Sequence, residues 1–201
     1  MSRAAIEAVE QYLGRLPGGL DAHPECQMKG SVLRAFATGL PRPLVADGNL
    51  PEPVRELIAT PSLPTAWIPE VHATALIVFA SAACFDDAQS FLEHAHRTNY
   101  ALLDSLAYRV LFRLIGATRL AAQAAARWSV FHKGTSIDIL SREDGAVRFR
   151  LKAPAHHVPR VLAQAYATAF RAALEISGQR DVTFDTVQSD ACSTEFRGRW
   201  S

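Results

Sequence analysis

The rhythm of hydrophobic and polar residues changes at Gly134, from a helical period near 3.6 to an alternation of period two. Before that point the pattern predicts a helix over 3–15, with Ala4, Ile6, Ala8, Val9, Tyr12 and Leu13 on its apolar side and Pro17-Gly18-Gly19 as its end. A second helix is expected over 25–38, stopped by Gly39-Leu40-Pro41. Seven of the 11 prolines fall between Pro41 and Pro69, which forbids a long helix there because each lacks a donor and restricts its predecessor. A short helix over 53–59 fits between them. Leu44, Val45, Leu50, Leu57, Ile58, Leu63 and Trp67 anchor this stretch as an ordered wrapping connection.

From Pro69 to Phe131 the spacing is helical throughout. Pro69 suits the first turn of a helix through Val71, Ala75, Leu76, Val78 and Phe79. Asp86-Asp87 caps the next, which carries Phe91, Leu92, Ala95 and Thr98, and further helices are expected over 106–114 and 118–131. After Gly134, Thr135 to Arg142 and Ala146 to Lys152 read as two strands. They are joined at Asp144-Gly145 by a type I′ turn, which needs positive φ at both central residues. A helix follows from Pro159 to Ser177, closed by Gly178. Strands over 182–187 and 192–200 then complete a ββ-α-ββ unit; in the last, Cys192, Thr194, Phe196, Gly198 and Trp200 share one face.

The fold class is therefore α+β: a helical N-terminal half packed on a mostly antiparallel four-stranded ββ-α-ββ sheet. One domain is expected over 1–201. Its parts are the N-terminal helices and Pro-rich wrap over 1–68, a helical layer over 69–133 and the sheet unit over 134–201.

Composition narrows the function classes. With 49% hydrophobic and 20% charged residues the chain can bury a sizeable core, and a net charge of +1 makes no case for nucleic acid as a partner. No apolar run is long enough for a membrane span and no signal peptide or lipidation box is visible, so a cytoplasmic location is expected. Cys26, Cys84 and Cys192 form no disulfide framework and no C-x-x-C knuckle; they read as reduced thiols, at least two of them in the core.

Phe131, Gly134 and Thr135, the hairpin, the helix ending in Ser177-Gly178 and the closing Cys192, Phe196 and Trp200 form a pattern over 134–200. It resembles ligand-binding domains of the 4-vinyl-reductase type, and with them haem-nitric-oxide-binding-associated domains and TRAPP trafficking-complex subunits. Over its whole length, through His23-Pro-Glu-Cys26, Trp67-Ile-Pro-Glu-Val-His72, Trp128 and Gly134-Thr135, the chain is similar to a family of proteins of about this size abundant in myxobacteria, which carries no known activity. The resemblance implies the fold, an apolar pocket and a homodimer. It implies no cofactor: the clustered cysteines of zinc-containing relatives reduce here to Cys192, and the Tyr-x-Ser-x-Arg signature of haem-binding relatives is absent.

Candidate chemistry is sparse. His94 and His96 point to opposite sides of a helix, His156 and His157 lack a nearby carboxylate in the sequence, and His72, two residues after Glu70, is the one imidazole that invites a haem or metal role. Cys26 with His23 and Glu25 could form a reactive thiolate if it stood at a helix N-terminus. No nucleophile elbow or phosphate-binding loop is present. Arg148, Arg150, Lys152, Arg197 and Arg199 share one sheet face with Asp138, Asp185 and Glu195, which reads as a mutually neutralising surface.

Together these features predict a non-enzymatic sensory or adaptor domain that binds a hydrophobic or amphiphilic small molecule, or a lipid, between helices and sheet. It would act as a homodimer or with a partner protein. The expected lining is Trp67, Val71, His72, Leu76, Phe79, Tyr108, Phe112, Trp128, Phe149, Tyr166 and Phe170. The alternatives are a structural or protein-interaction module with a filled core and, further off, a haem- or metal-binding sensor. An apolar cavity of roughly 300 Å³ or more separates the ligand-binding reading from the filled core.

Overall fold

The computed structural model describes residues 3–46, 48–106, 108 and 123–201. Among these, α1 (Arg3–Leu13) lies on α4 (Glu70–Cys84), whose faces are nearly all apolar and buried; α5 (Ala88–Leu103) follows, started by the Asp87 carboxylate, which accepts from Ser90 N–H at 2.7 Å. The expected helix over 53–59 is α3 (Glu52–Ala59). The expected helix over 25–38 begins instead as a strand, β1 (Gln27–Lys29), and turns helical only as α2 (Gly30–Ala37).

That strand exists because two distant segments pair with it. β2 (Trp67–Pro69) lies antiparallel on one side, Met28 opposite Ile68, and β3 (His132–Lys133) on the other, Met28 opposite His132. The small sheet β2-β1-β3 thus ties together three parts of the chain. Just before β3 lies α6 (Ala124–Trp128), the described part of the helix expected over 118–131. The helix expected over 106–114 lies outside the described residues, apart from Leu106 and Tyr108.

After Gly134 the α+β unit forms as expected. β4 (Ser136–Glu143), β5 (Ala146–Lys152), α7 (Arg160–Ile176), β6 (Thr183–Ser189) and β7 (Ser193–Arg199) build an antiparallel sheet in the order β4-β5-β7-β6, with α7 over β6 and β7. Phe149 and Phe196 sit opposite each other in the centre and face α7, where Phe170 and Phe184 close an aromatic cluster. The β4–β5 turn departs from type I′: Gly145 has φ 71°, but Asp144 does not adopt positive φ, so only the second residue needs glycine's freedom. On the outer face Arg148 and Arg150 share Glu195, and Lys152 pairs with Asp138. No helix among the described residues is long and apolar enough to cross a membrane.

Candidate functional site

Pairing along β1 decides where the chemistry lies. Because β2 runs beside β1, the Glu70 N–H donates to the Cys26 carbonyl at 2.9 Å, placing the first residue of α4 at the sheet's end. Because β3 pairs on the other side, His132 arrives next to it. The Glu70 side chain is 0% exposed, and its Oε1 accepts from Tyr166 Oη at 2.6 Å and meets His132 Nδ1 at 2.9 Å. Its Oε2 lies 3.3 Å from Nε2 of His157, another wholly buried side chain, in the segment that leads into α7. Three side chains, from β3, from the segment before α7 and from α7 itself, therefore converge on one carboxylate at the head of α4.

Burial alone would raise the pKa of the Glu70 carboxyl. The attraction of His132 and its hydrogen bond, followed by those of His157, outweigh burial and hold the carboxyl well below the usual range. The cluster thus keeps a carboxylate in the core, held by the Tyr166 hydroxyl and two imidazole rings. Around it Tyr12 donates to the His157 carbonyl at 3.2 Å, and burial pushes the phenols of Tyr12 and Tyr166 upward, with Glu70 adding to both shifts. Neither tyrosine ionises in this setting.

Cys26 belongs to the same neighbourhood. It precedes a strand rather than a helix, and burial, with Glu70 and Glu25 adding to it, pushes its thiol up to about 12. That corrects the reactive-thiolate expectation, since a protonated thiol is a poor nucleophile. His157 has no carboxylate near it in the sequence, and the fold brings it Glu70 from a distant segment.

On its far side the cluster opens to an apolar cavity of 110 Å³ between α5, α6, α7 and the inner face of the sheet. Trp128 lies flat on His132, ring centres 3.9 Å apart, and its indole N–H donates to Thr135 at 2.8 Å; Tyr166 meets both rings edge-on. His132 lines this cavity, and its Nε2 has no hydrogen-bond partner among the described residues. A larger concavity of 1230 Å³ between α1, α5, α7 and β6, about as open as the first, is rimmed by Arg15, Glu93, Arg160 and Arg171. The smaller cavity is the candidate site because it adjoins the buried charge.

The expected lining residues divide into groups. Trp128, Phe149, Tyr166 and Phe170 stand on the cavity wall. Val71, Leu76 and Phe79 are buried in the main core. Trp67 packs under the ammonium groups of Lys29 and Lys133, on the three-stranded sheet. His72 is half-buried beside Leu20, and burial lowers the basicity of its ring. The Tyr108 hydroxyl meets Ser31 at 3.0 Å and its ring packs on Phe131, while Phe112 lies outside the described residues. Glu70, His132 and His157 were not among the candidates. Only Glu70 leaves a trace in the sequence, as a lone acid at the head of an apolar helix.

No protein-family model matches the chain, and no curated protein matches it. Among solved structures it is similar to an Fe(II) unliganded H-NOX protein from K. algicida, at TM-score 0.54 and 14% identity over 87% of this chain and 97% of that one. A point mutant of that protein matches at TM-score 0.55 and 11% identity over the same shares. A Cs H-NOX variant carrying 4-cyano-L-phenylalanine matches at 0.54 and 10%, again over 87% and 97%. The fold is that of H-NOX domains. At such identities the likeness establishes the fold alone, and the kinship to 4-vinyl-reductase-type domains and the myxobacterial family rests on the sequence motifs quoted above.

Proposed function

We propose that this chain is a non-enzymatic sensory domain, whose ligand enters the cavity beside His132 and Trp128 and is felt by the Glu70 cluster behind them. The observation that carries the reading is that His132 and Tyr166 belong to both: each lines the cavity and each holds Glu70 Oε1. An occupant that shifts either ring alters the balance around a buried charge, and so reaches His157, Tyr12 and helix α1.

Of the ligand classes considered, the H-NOX-like fold supports a haem-binding sensor better than a lipid-binding one. The donor chemistry suits an axial imidazole: a ring whose Nδ1 is held by a carboxylate and whose Nε2 is unengaged is how metal-binding histidines are oriented. The room does not suit it. At 110 Å³ the cavity falls below the roughly 300 Å³ at which drug-sized sites begin. A porphyrin does not fit with Trp128 and the phenylalanine cluster where they stand, and the lipid-sized ligand fails the same test. The small cavity also favours a second reading, a protein-interaction module with a filled core.

Titration of the purified chain with hemin, and separately with one-ring apolar compounds, tests the sensory reading. Binding is followed by a Soret band and by the NMR resonances of Trp128 and Tyr166. A Soret band lost in His132→Ala would establish the haem reading. Shifts with one-ring compounds alone would establish a smaller ligand. Silence with both would leave the filled-core reading.

A further inference from the structure

The cavity wall contains one feature an apolar ligand does not need. Arg127, at the end of α6, lines the cavity; one of its Nη atoms donates to Gln123 at 2.9 Å, and its Nε is buried with no hydrogen-bond partner among the described residues. A guanidinium N–H buried without an acceptor is costly, and the part-exposed Arg127 pairs with no carboxylate among the described residues. Residues 109–122, immediately before α6, hold three arginines and no Asp or Glu, so the preceding segment supplies no acid either. Asn99 stands on the same wall, with its amide N–H₂ donating to Thr168 at 3.3 Å.

Deepening the sensory reading, and resting on it, we propose that the natural occupant is an apolar body bearing a carboxylate, whose acid group meets Arg127 while its hydrocarbon part fills the space against Trp128 and Phe170. Size sets an upper limit of a single ring or a short branched chain: an apolar cavity of about 150 Å³ in another protein takes up benzene, and this one, at 110 Å³, is smaller still. A carboxylate provides the charge-assisted, two-pronged partner that a guanidinium edge recognises best. Haem carboxylates offer the same acid chemistry from another source, so hemin is one arm of the test.

The experiment uses the full chain, wild type, Arg127→Gln and Arg127→Lys, with phenylacetate, its neutral analogue phenylacetamide, and hemin. Calorimetry reads the first two and the Soret region the third. Helix α6 leaves Arg127 part-exposed, and circular dichroism confirms that each variant folds. The expected result is that phenylacetate binds wild type at least tenfold more tightly than the amide. In Arg127→Gln that preference disappears while amide binding is unchanged, and Arg127→Lys retains part of it. Hemin uptake that weakens tenfold in Arg127→Gln would support the same site with haem as the source. Equal binding of acid and amide to wild type overturns the acid inference and leaves the cavity reading standing. Failure of all three probes to bind overturns both.

Discussion

Replacing Glu70 by Gln removes one charge from the core and almost no volume. In the native protein Oε1 takes two charge-assisted hydrogen bonds, at 2.6 Å from Tyr166 and 2.9 Å from His132. Such bonds are worth about 1.5–3 kcal/mol each, against about 1 kcal/mol for a neutral one. Glutamine keeps one accepting oxygen, so both contacts survive in weakened form, while the attraction to His157 at 3.3 Å is lost. The expected destabilisation at pH 7 is about 2–3 kcal/mol. This is less than the 3–5 kcal/mol typical of stripping a partner from a buried ion pair, because the glutamine oxygen still accepts from Tyr166 and His132. The pH dependence gives a sharper test. The folded carboxyl is held below its ordinary value, so its contribution is whole above about pH 4.3 and drains as pH falls toward the folded value, at about 1.4 kcal/mol per unit. Urea unfolding followed by circular dichroism should show the full gap between wild type and Glu70→Gln at pH 5, above the range in which the carboxyl titrates. By pH 3 it should have narrowed by about 2 kcal/mol. A gap under 0.5 kcal/mol at pH 7, or one unchanged down to pH 3, would refute the ionised core carboxylate.

Other consequences follow from the same packing. Cys192 is exposed whereas Cys26 and Cys84 are buried with raised thiols, so an aromatic disulfide reagent should label one thiol quickly and the other two only on unfolding. Rapid native labelling of Cys26 would contradict its placement against Glu70. Gly134 has φ 75°, and a Cβ there would stand 2.7 Å from both the Cys26 sulfur and the Glu25 carbonyl oxygen. Gly134→Ala should therefore cost about 2–4 kcal/mol, read as a fall in melting temperature of roughly 5–15 °C. A loss under 2 °C would mean that the β3–β4 corner is not packed on Cys26.

How much of this was legible depended on the range of the interactions involved. The helix over 88–103 announced itself through Asp87, a cap that bonds three residues away, and β5 and β7 through an alternation that each strand carries within itself. The type I′ turn at Asp144-Gly145 was over-read: a two-residue loop is encoded locally, but the twist that selects its type comes from the paired strands. The start of α2 was misread for a related reason. Gln27–Lys29 has no strand rhythm of its own and becomes extended because Trp67–Pro69 and His132–Lys133 pair with it.

The sequence by itself determined the α+β class and the ββ-α-ββ order after Gly134, since periodicity and capping are properties of neighbouring residues. Only the tertiary structure decided that Glu70, His132, His157 and Tyr166 share one buried charge, and that Arg127, whose Nε is buried without a partner among the described residues, stands on the cavity wall beside them. Strands of two and three residues brought these groups together. A pairing that short is stable only once the rest of the core has closed around it, so it leaves no pattern in the chain from which it could be read.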